Sequence, residues 1–193
     1  MNNPAYKLLI EELEKYYPNL STKFKIELPN KLFEVSYKKG RRVLSYMQVQ
    51  EAGLFIVKGS ALELSVDPNT LEERVVNFWF EKDFPYTKPG FFGEEPSPSY
   101  IQLLEDTLFV GIHFHEFSAL RQDYPEMNIL IEKIRGHYDK LRHIIEEDFR
   151  FPANRRVKRL EMAHPNIYNL ADIKHIAEYH RISVKTLSRL RNK

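Results

Sequence analysis

Cysteine is absent from all 193 residues. That excludes disulfides, thiolate zinc fingers, cysteine-ligated iron–sulfur clusters and cysteine nucleophiles, and it fits a reducing cytoplasm. Long apolar runs are missing too: no uncharged stretch approaches the roughly 20 residues that cross a bilayer. The start, Met1-Asn-Asn-Pro-Ala-Tyr6, has neither the basic nor the apolar region of a secretory leader. A soluble, cytoplasmic protein without a membrane partner is expected. Glycine and tryptophan are scarce, at seven and one, yet 42% of residues are hydrophobic and 13% aromatic. A chain of this size and apolar content buries a core, enough for one large domain with a small appendage.

Charge is unevenly placed. Residues 150–193 hold eleven Lys and Arg against three Asp and Glu, a net +8, whereas residues 1–149 hold eighteen against twenty-four, a net −6. A basic end, including Arg155, Arg156, Lys158 and Arg159, attracts phosphate and releases counterions; the acidic remainder is repelled by DNA. The bland alternative is a solvated basic tail, but the last residues have helical periodicity. Asp172 to His180 places Ile173, Ile176 and Ala177 on one face, and Arg181-Ile182 makes a short connection. Ser183 then suits the N-cap of a second helix reaching Arg191. Residues 172–193 thus spell a helix-turn-helix. Around the apolar seam Val184, Leu187 and Leu190 stand Ser183, Lys185, Thr186, Ser188, Arg189 and Arg191, the polar and cationic groups that a major groove receives.

Ahead of that end the period changes twice. Leu8, Leu9, Leu13 and Tyr16 recur at helical spacing from Ala5 to Tyr17, where Pro18 stops the pattern. Between Leu28 and Phe117 come short β-rich runs: Leu32–Tyr37, Leu54–Val57, Ala61–Val66, Arg74–Phe80, Tyr100–Leu104 and Leu108–Phe114. Turn signals such as Lys39-Gly40, Lys58-Gly59 and Asp67-Pro-Asn69 separate them, which predicts an antiparallel barrel or jelly roll. After Pro125, Met127, Ile131, Ile134, Tyr138, Leu141 and Ile145 step by alternating fours and threes. Two partners suit such a seam: the helix's own barrel, or a second copy in a parallel coiled coil. Charged residues from Glu132 to Glu147, Arg142 among them, are expected on its solvated side.

These stretches together resemble a regulator of the Crp/Fnr type, in particular the branch found in Bacteroidetes. Phe55-Ile-Val-Lys-Gly59 is similar to the family's strand-turn, and Pro96-Ser-Pro-Ser-Tyr-Ile-Gln-Leu-Leu-Glu-Asp106 to its phosphate-cassette segment. Asn154-Arg-Arg-Val-Lys-Arg-Leu160 with Pro165, Ile176 to Ser183, and Thr186-Leu-Ser-Arg-Leu-Arg191 complete the likeness. The resemblance implies an α+β chain in three parts. Residues 1–123 are an N-terminal helix and cyclic-nucleotide-binding-like jelly roll, 124–150 a dimerisation helix, and 151–193 a DNA-binding domain with no wing after Lys193. Double-stranded DNA, a second copy and an unidentified small-molecule effector are the implied partners; no catalysis, metal or cofactor is implied.

Departures from the family pattern are informative. Cyclic-nucleotide binders use a Gly-Glu pair on the ribose and an Arg before Ser or Thr on the phosphate. Here Tyr86 and Thr87 stand at the pair, and Ser97 replaces the Arg, with Ser99 two residues on. Without that counter-charge, cyclic AMP and cyclic GMP are expected to bind weakly or not at all. Aromatic side chains such as Tyr86, Phe91 and Phe92 are candidates to fill the pocket. The family's base-reading Arg-Glu becomes Val184-Lys185, while Thr186 and Arg189 are kept, which implies a changed operator. Arg181 replaces the turn glycine and requires either ordinary φ or mild strain. Two readings rival the regulator: a cupin-like metal enzyme built on His113 and His115, and a sensor fold that has lost specific DNA binding.

Overall fold

In the computed structural model, which describes residues 3–191, helix α1 spans Pro4–Tyr16. Asn3 Oδ1 accepts the Ala5 N–H at 2.8 Å, and Pro4 sits in the first turn, where its missing N–H is no loss. The helix buries Ala5, Leu9, Ile10 and Leu13. Helix α2 (Thr22–Glu27), capped by Ser21, and a 3-10 turn at Leu28–Lys31 lead into the sheets.

Strands β1 (Leu32–Tyr37), β3 (Ala52–Lys58) and β7 (Thr107–His113) form one antiparallel sheet in the order β1-β7-β3. Strands β2 (Arg42–Leu44), β4 (Ala61–Val66), β5 (Glu73–Trp79) and β6 (Ser99–Leu103) form a second, in the order β2-β6-β4-β5. Val35 pairs with Phe109, Phe55 with Val110, and Leu62 with both Phe78 and Gln102. Every run predicted as a strand falls on one, though Phe80, Leu104 and Phe114 lie just past the strand ends; β2, three residues long, offered no period to read. The β3–β4 turn depends on Gly59, whose φ of +113° places a hypothetical Cβ 2.8 Å from Thr107 Cα.

The four-stranded sheet is covered on both sides, and its pleat sorts residues between two cores. On one side Leu44, Ala61, Trp79, Ile101 and Leu103 join Phe55, Phe109 and Val110 of the other sheet, closed by α1 and the long helix. On the other side Leu62, Leu64, Phe78 and Tyr100 pack with Val157, Ile167, Ala171, Ile176, Ala177 and Leu187. Those last residues belong to helices α6 (Ala153–Ala163), α7 (Ile167–Leu170), α8 (Ile173–Tyr179) and α9 (Val184–Arg191), except Ala171, which caps the end of α7. The C-terminal helices therefore rest on the outer surface of the roll. Phe78 meets Tyr179 edge-on at 5.1 Å and Phe80 stacks on His164 at 3.4 Å.

Between β5 and β6 lies a single-turn helix, α3 (Gly90–Gly93); α4 (Phe114–Asp123) follows β7 and precedes the long helix α5 (Pro125–Asp148). On α5 most of the expected seam turns toward the chain's own barrel. Met127, Ile134 and Tyr138 are buried in the chain's own core, and Ile131 packs against it. Spacing of 4 and 3 specifies a stripe but not its partner, and the inner sheet and α1 take this one. Leu141 and Ile145, farther along, face a cleft of about 310 Å³ shared with Phe80, Phe149 and Leu160; Leu141 is 37% exposed.

Candidate functional site

The C-terminal corner is built as its residues dictate. Ser183 Oγ accepts the Thr186 N–H at 3.1 Å, starting α9, and Leu187, fully buried, fixes the helix's inner face. Ser183, Val184, Lys185, Arg189 and Arg191 are exposed, while Thr186 and Ser188 are half-buried. Leu190 packs inward with Leu187, whereas Val184, expected in the same seam, is 39% exposed. Arg191 lies over the Tyr168 ring at 3.6 Å. Arg181, in the turn, adopts φ +54°, the left-handed region that a glycine would occupy without strain. Its guanidinium sits 3.9 Å from the centre of the Phe149 ring, a contact that offsets part of that strain.

The arginines expected to meet phosphate hold the link between α5 and the C-terminal helices. Arg156 donates to the carbonyls of Phe151 at 2.5 Å and His180 at 2.8 Å. Arg159 pairs with Asp148, and Arg155 lies 3.8 Å over the Phe151 ring. His180 is buried beside Arg156; desolvation first, and that charge second, hold it down to about 4, so it is neutral at pH 7.

Inside the roll, the four residues predicted to face an effector are all buried. Ser97 and Ser99 close on each other: Ser97 Oγ donates to the Ser99 carbonyl at 2.7 Å and accepts the Ser99 N–H at 3.0 Å. The Tyr86 ring packs with Trp79, Phe92 and Tyr138 at 5.1–6.2 Å. The hydroxyls of Tyr86 and Thr87 have no hydrogen-bond partner.

Sequence reasoning missed Glu63, Trp79, Gln50 and Arg142, which share this interior. Glu63 is 3% exposed on β4; burial pushes its carboxyl up to about 7, against the pull of Arg142, the Trp79 indole and the Ser99 hydroxyl. The available signal was an acid inside an otherwise apolar strand, Ala61-Leu-Glu-Leu64. Arg142 was expected on the solvated side of α5, but its guanidinium lies 5.2 Å from the centre of the Tyr86 ring. Nearby, burial pushes Asp83 up to about 6, although it accepts the Phe80 N–H at 2.8 Å and the Tyr138 hydroxyl at 3.1 Å.

The histidines of the metal reading are not on one strand face. His113 ends β7, stacked on Phe33, while the exposed His115 lies in the first turn of α4. Glu116 pairs with Lys31 at 2.9 Å. Among the described residues no three His, Asp or Glu side chains converge as a metal site would require.

No protein-family model and no curated protein matches the chain. Solved structures do. A putative cyclic nucleotide binding protein from Ruegeria pomeroyi aligns with TM-score 0.66 at 17% identity, covering 98% of this chain and 86% of that one. FixK2 from Bradyrhizobium japonicum aligns with TM-score 0.65 at 17% identity over 83% of each chain. A cyclic nucleotide-binding domain from Methylobacillus flagellatus gives TM-score 0.61 at 12% identity, covering 72% and 82%. At these identities the likeness is one of fold: an α+β chain built on the antiparallel roll of cyclic-nucleotide-binding domains.

Proposed function

We propose that the chain is a DNA-binding transcriptional regulator of the Crp/Fnr type that acts as a homodimer and does not use cyclic AMP. The observation that carries this is the outward face of α9: Val184, Lys185 and Arg189 stand exposed around a fully buried Leu187, at the basic end of the chain. Arg189 is the candidate for a bidentate bond to guanine, and Val184 for contact with a thymine methyl. The solved structure of FixK2 supports the regulator class by likeness of fold.

Two copies related by a two-fold axis would set their α9 helices in successive major grooves, roughly 34 Å apart. With Met127, Ile134 and Tyr138 committed to the chain's own core, a contact between copies along α5 falls to Leu141 and Ile145. The interior of the roll argues against a cyclic nucleotide. Trp79 is fully buried within it, Ser97 is tied to Ser99 where a phosphate-binding Arg would stand, and the Glu63 carboxyl lies there beside Arg142. An effector of other chemistry acts by favouring one placement of the C-terminal helices over another.

Selection of bound sequences from a random duplex pool, at fixed salt and with or without cyclic AMP, tests the whole reading. A palindrome recovered equally in both arms is expected. Enrichment that depends on cyclic AMP overturns the sensor half, and no enrichment overturns DNA reading.

A further inference from the structure

Where the roll, α5 and the C-terminal helices meet, the cleft of about 310 Å³ that Leu141 and Ile145 face is walled by apolar and charged groups together. Phe80 follows β5, Leu141 and Ile145 come from α5, Leu160 and Ala163 from α6, and Tyr179 from α8. Its volume and its apolar, aromatic walls are those of a small-molecule site, which junctions between domains favour. Tyr86, Thr87, Ser97 and Ser99, expected to face an effector, do not border it. Arg159 does, and its side chain is half exposed. Asp148 accepts from Nη1 of that guanidinium; among the described residues nothing takes Nε or Nη2. Burial pushes the Tyr179 hydroxyl up to about 12 and the Arg159 charge pulls against it, so the guanidinium stands beside that wall.

Charge decides what the cleft suits. Arg142 and Arg156 border it together with Arg159. Of the acids on its walls, Asp148 is paired, Asp83 accepts the Phe80 N–H and the Tyr138 hydroxyl, and Glu81 is exposed. A cation would therefore meet guanidiniums, with the inner carboxylates already engaged. An inorganic anion would leave the apolar walls wet. We infer that this cleft binds a small organic carboxylate with an aromatic or other apolar body, its carboxylate on the open edge of Arg159 and its body against Phe80, Leu160 and Tyr179. Guanidinium and carboxylate are matched in shape for two parallel hydrogen bonds. An occupant that touches the roll, α5 and the C-terminal helices favours the placement in which those walls stand together. That consequence for DNA rests on the regulator reading; the binding itself does not.

Benzoate, benzamide and benzamidine make the test, being nearly identical in shape while negative, neutral and positive at neutral pH. Titration of the whole chain with each, followed by NMR on the methyl groups of Leu141, Ile145, Leu160 and Ala163, locates and ranks binding. Benzoate is expected to shift those methyls and to bind about tenfold more tightly than benzamide, the gain of charge-assisted over neutral hydrogen bonds. Benzamide or benzamidine binding as tightly as benzoate overturns the preference for an anion. Wall methyls unmoved by all three overturn the site. Arg159→Gln, at a half-exposed position, should bring benzoate down to the level of benzamide; a folded variant that keeps the tenfold preference overturns the role of Arg159. Ala163 is exposed, so Ala163→Trp should fold while crowding the cleft and weaken benzoate; a folded variant that binds it as the parent does places the site elsewhere. None of these measurements uses DNA, so failure here is distinct from failure of the regulator reading.

Discussion

Glu63 makes the stability of this protein depend on pH in a direction opposite to that of an ordinary ion-paired carboxylate. Its carboxyl titrates near 7 in the folded chain and near 4.5 when unfolded, because burial disfavours the charged form more than Arg142 restores it. Between those two values the folded state keeps a proton that the unfolded state has lost. Stability therefore falls as pH rises from 4.5 to 7, and is level on either side. At about 1.4 kcal/mol per pKa unit, the shift corresponds to about 3 kcal/mol. Asp83, raised to about 6, adds a fall of the same sign at lower pH. Glu63→Gln separates the two, since it keeps the shape, removes the titration and leaves Asp83 untouched. Urea unfolding at pH 4.5, 6, 7 and 8, read by the fluorescence of Trp79, gives the difference between variant and parent. The variant is expected to gain on the parent by about 3 kcal/mol across the series. Parallel pH profiles would refute a buried, proton-holding Glu63.

Tyr138→Phe removes a hydroxyl that accepts the Phe84 N–H at 2.8 Å and donates to Asp83, so denaturant unfolding should show a loss of about 2 kcal/mol. Sedimentation should show no change of mass, because Tyr138 lies in the chain's own core. Arg189→Ala should weaken binding to a selected operator by about 1–3 kcal/mol and relax preference at one base pair; equal loss on every sequence would make it a phosphate contact instead. Leu141→Asp combined with Ile145→Asp should yield monomers in analytical ultracentrifugation, and an unchanged mass removes α5 from the contact between copies.

The roll was legible because period-two runs rich in β-branched and aromatic residues have few other uses, and β4 is found at the predicted residues, Ala61–Val66. The capped helix after Ser183 was legible for an equally local reason, a hydroxyl three residues before an N–H that needs it. Partners were not. The stripe on α5 announces a buried face and nothing about what buries it. Arg156 and Arg159 read as free cations until the Phe151 carbonyl and Asp148 are brought beside them by a bend of the chain at Phe151-Pro152. Ser97 and Thr87 illustrate the limit within the candidate site: both are fully buried, yet only the folded chain shows that one hydroxyl is satisfied and the other is not.

The sheet covered on both sides bears on any attempt to divide the protein. A fragment ending near residue 150 would retain every strand but leave Leu62, Leu64, Phe78 and Tyr100 bare in one continuous patch. A fragment beginning there would lose the surface on which Val157, Ile167 and Leu187 close. Exposed patches of that kind favour association of like surfaces. Fragments cut at the α5–α6 link should therefore self-associate or precipitate, and fusions or tags belong at the chain ends. Because Glu63 alternates with Leu62 and Leu64 on one strand, a shift of β4 is felt in both compartments at once.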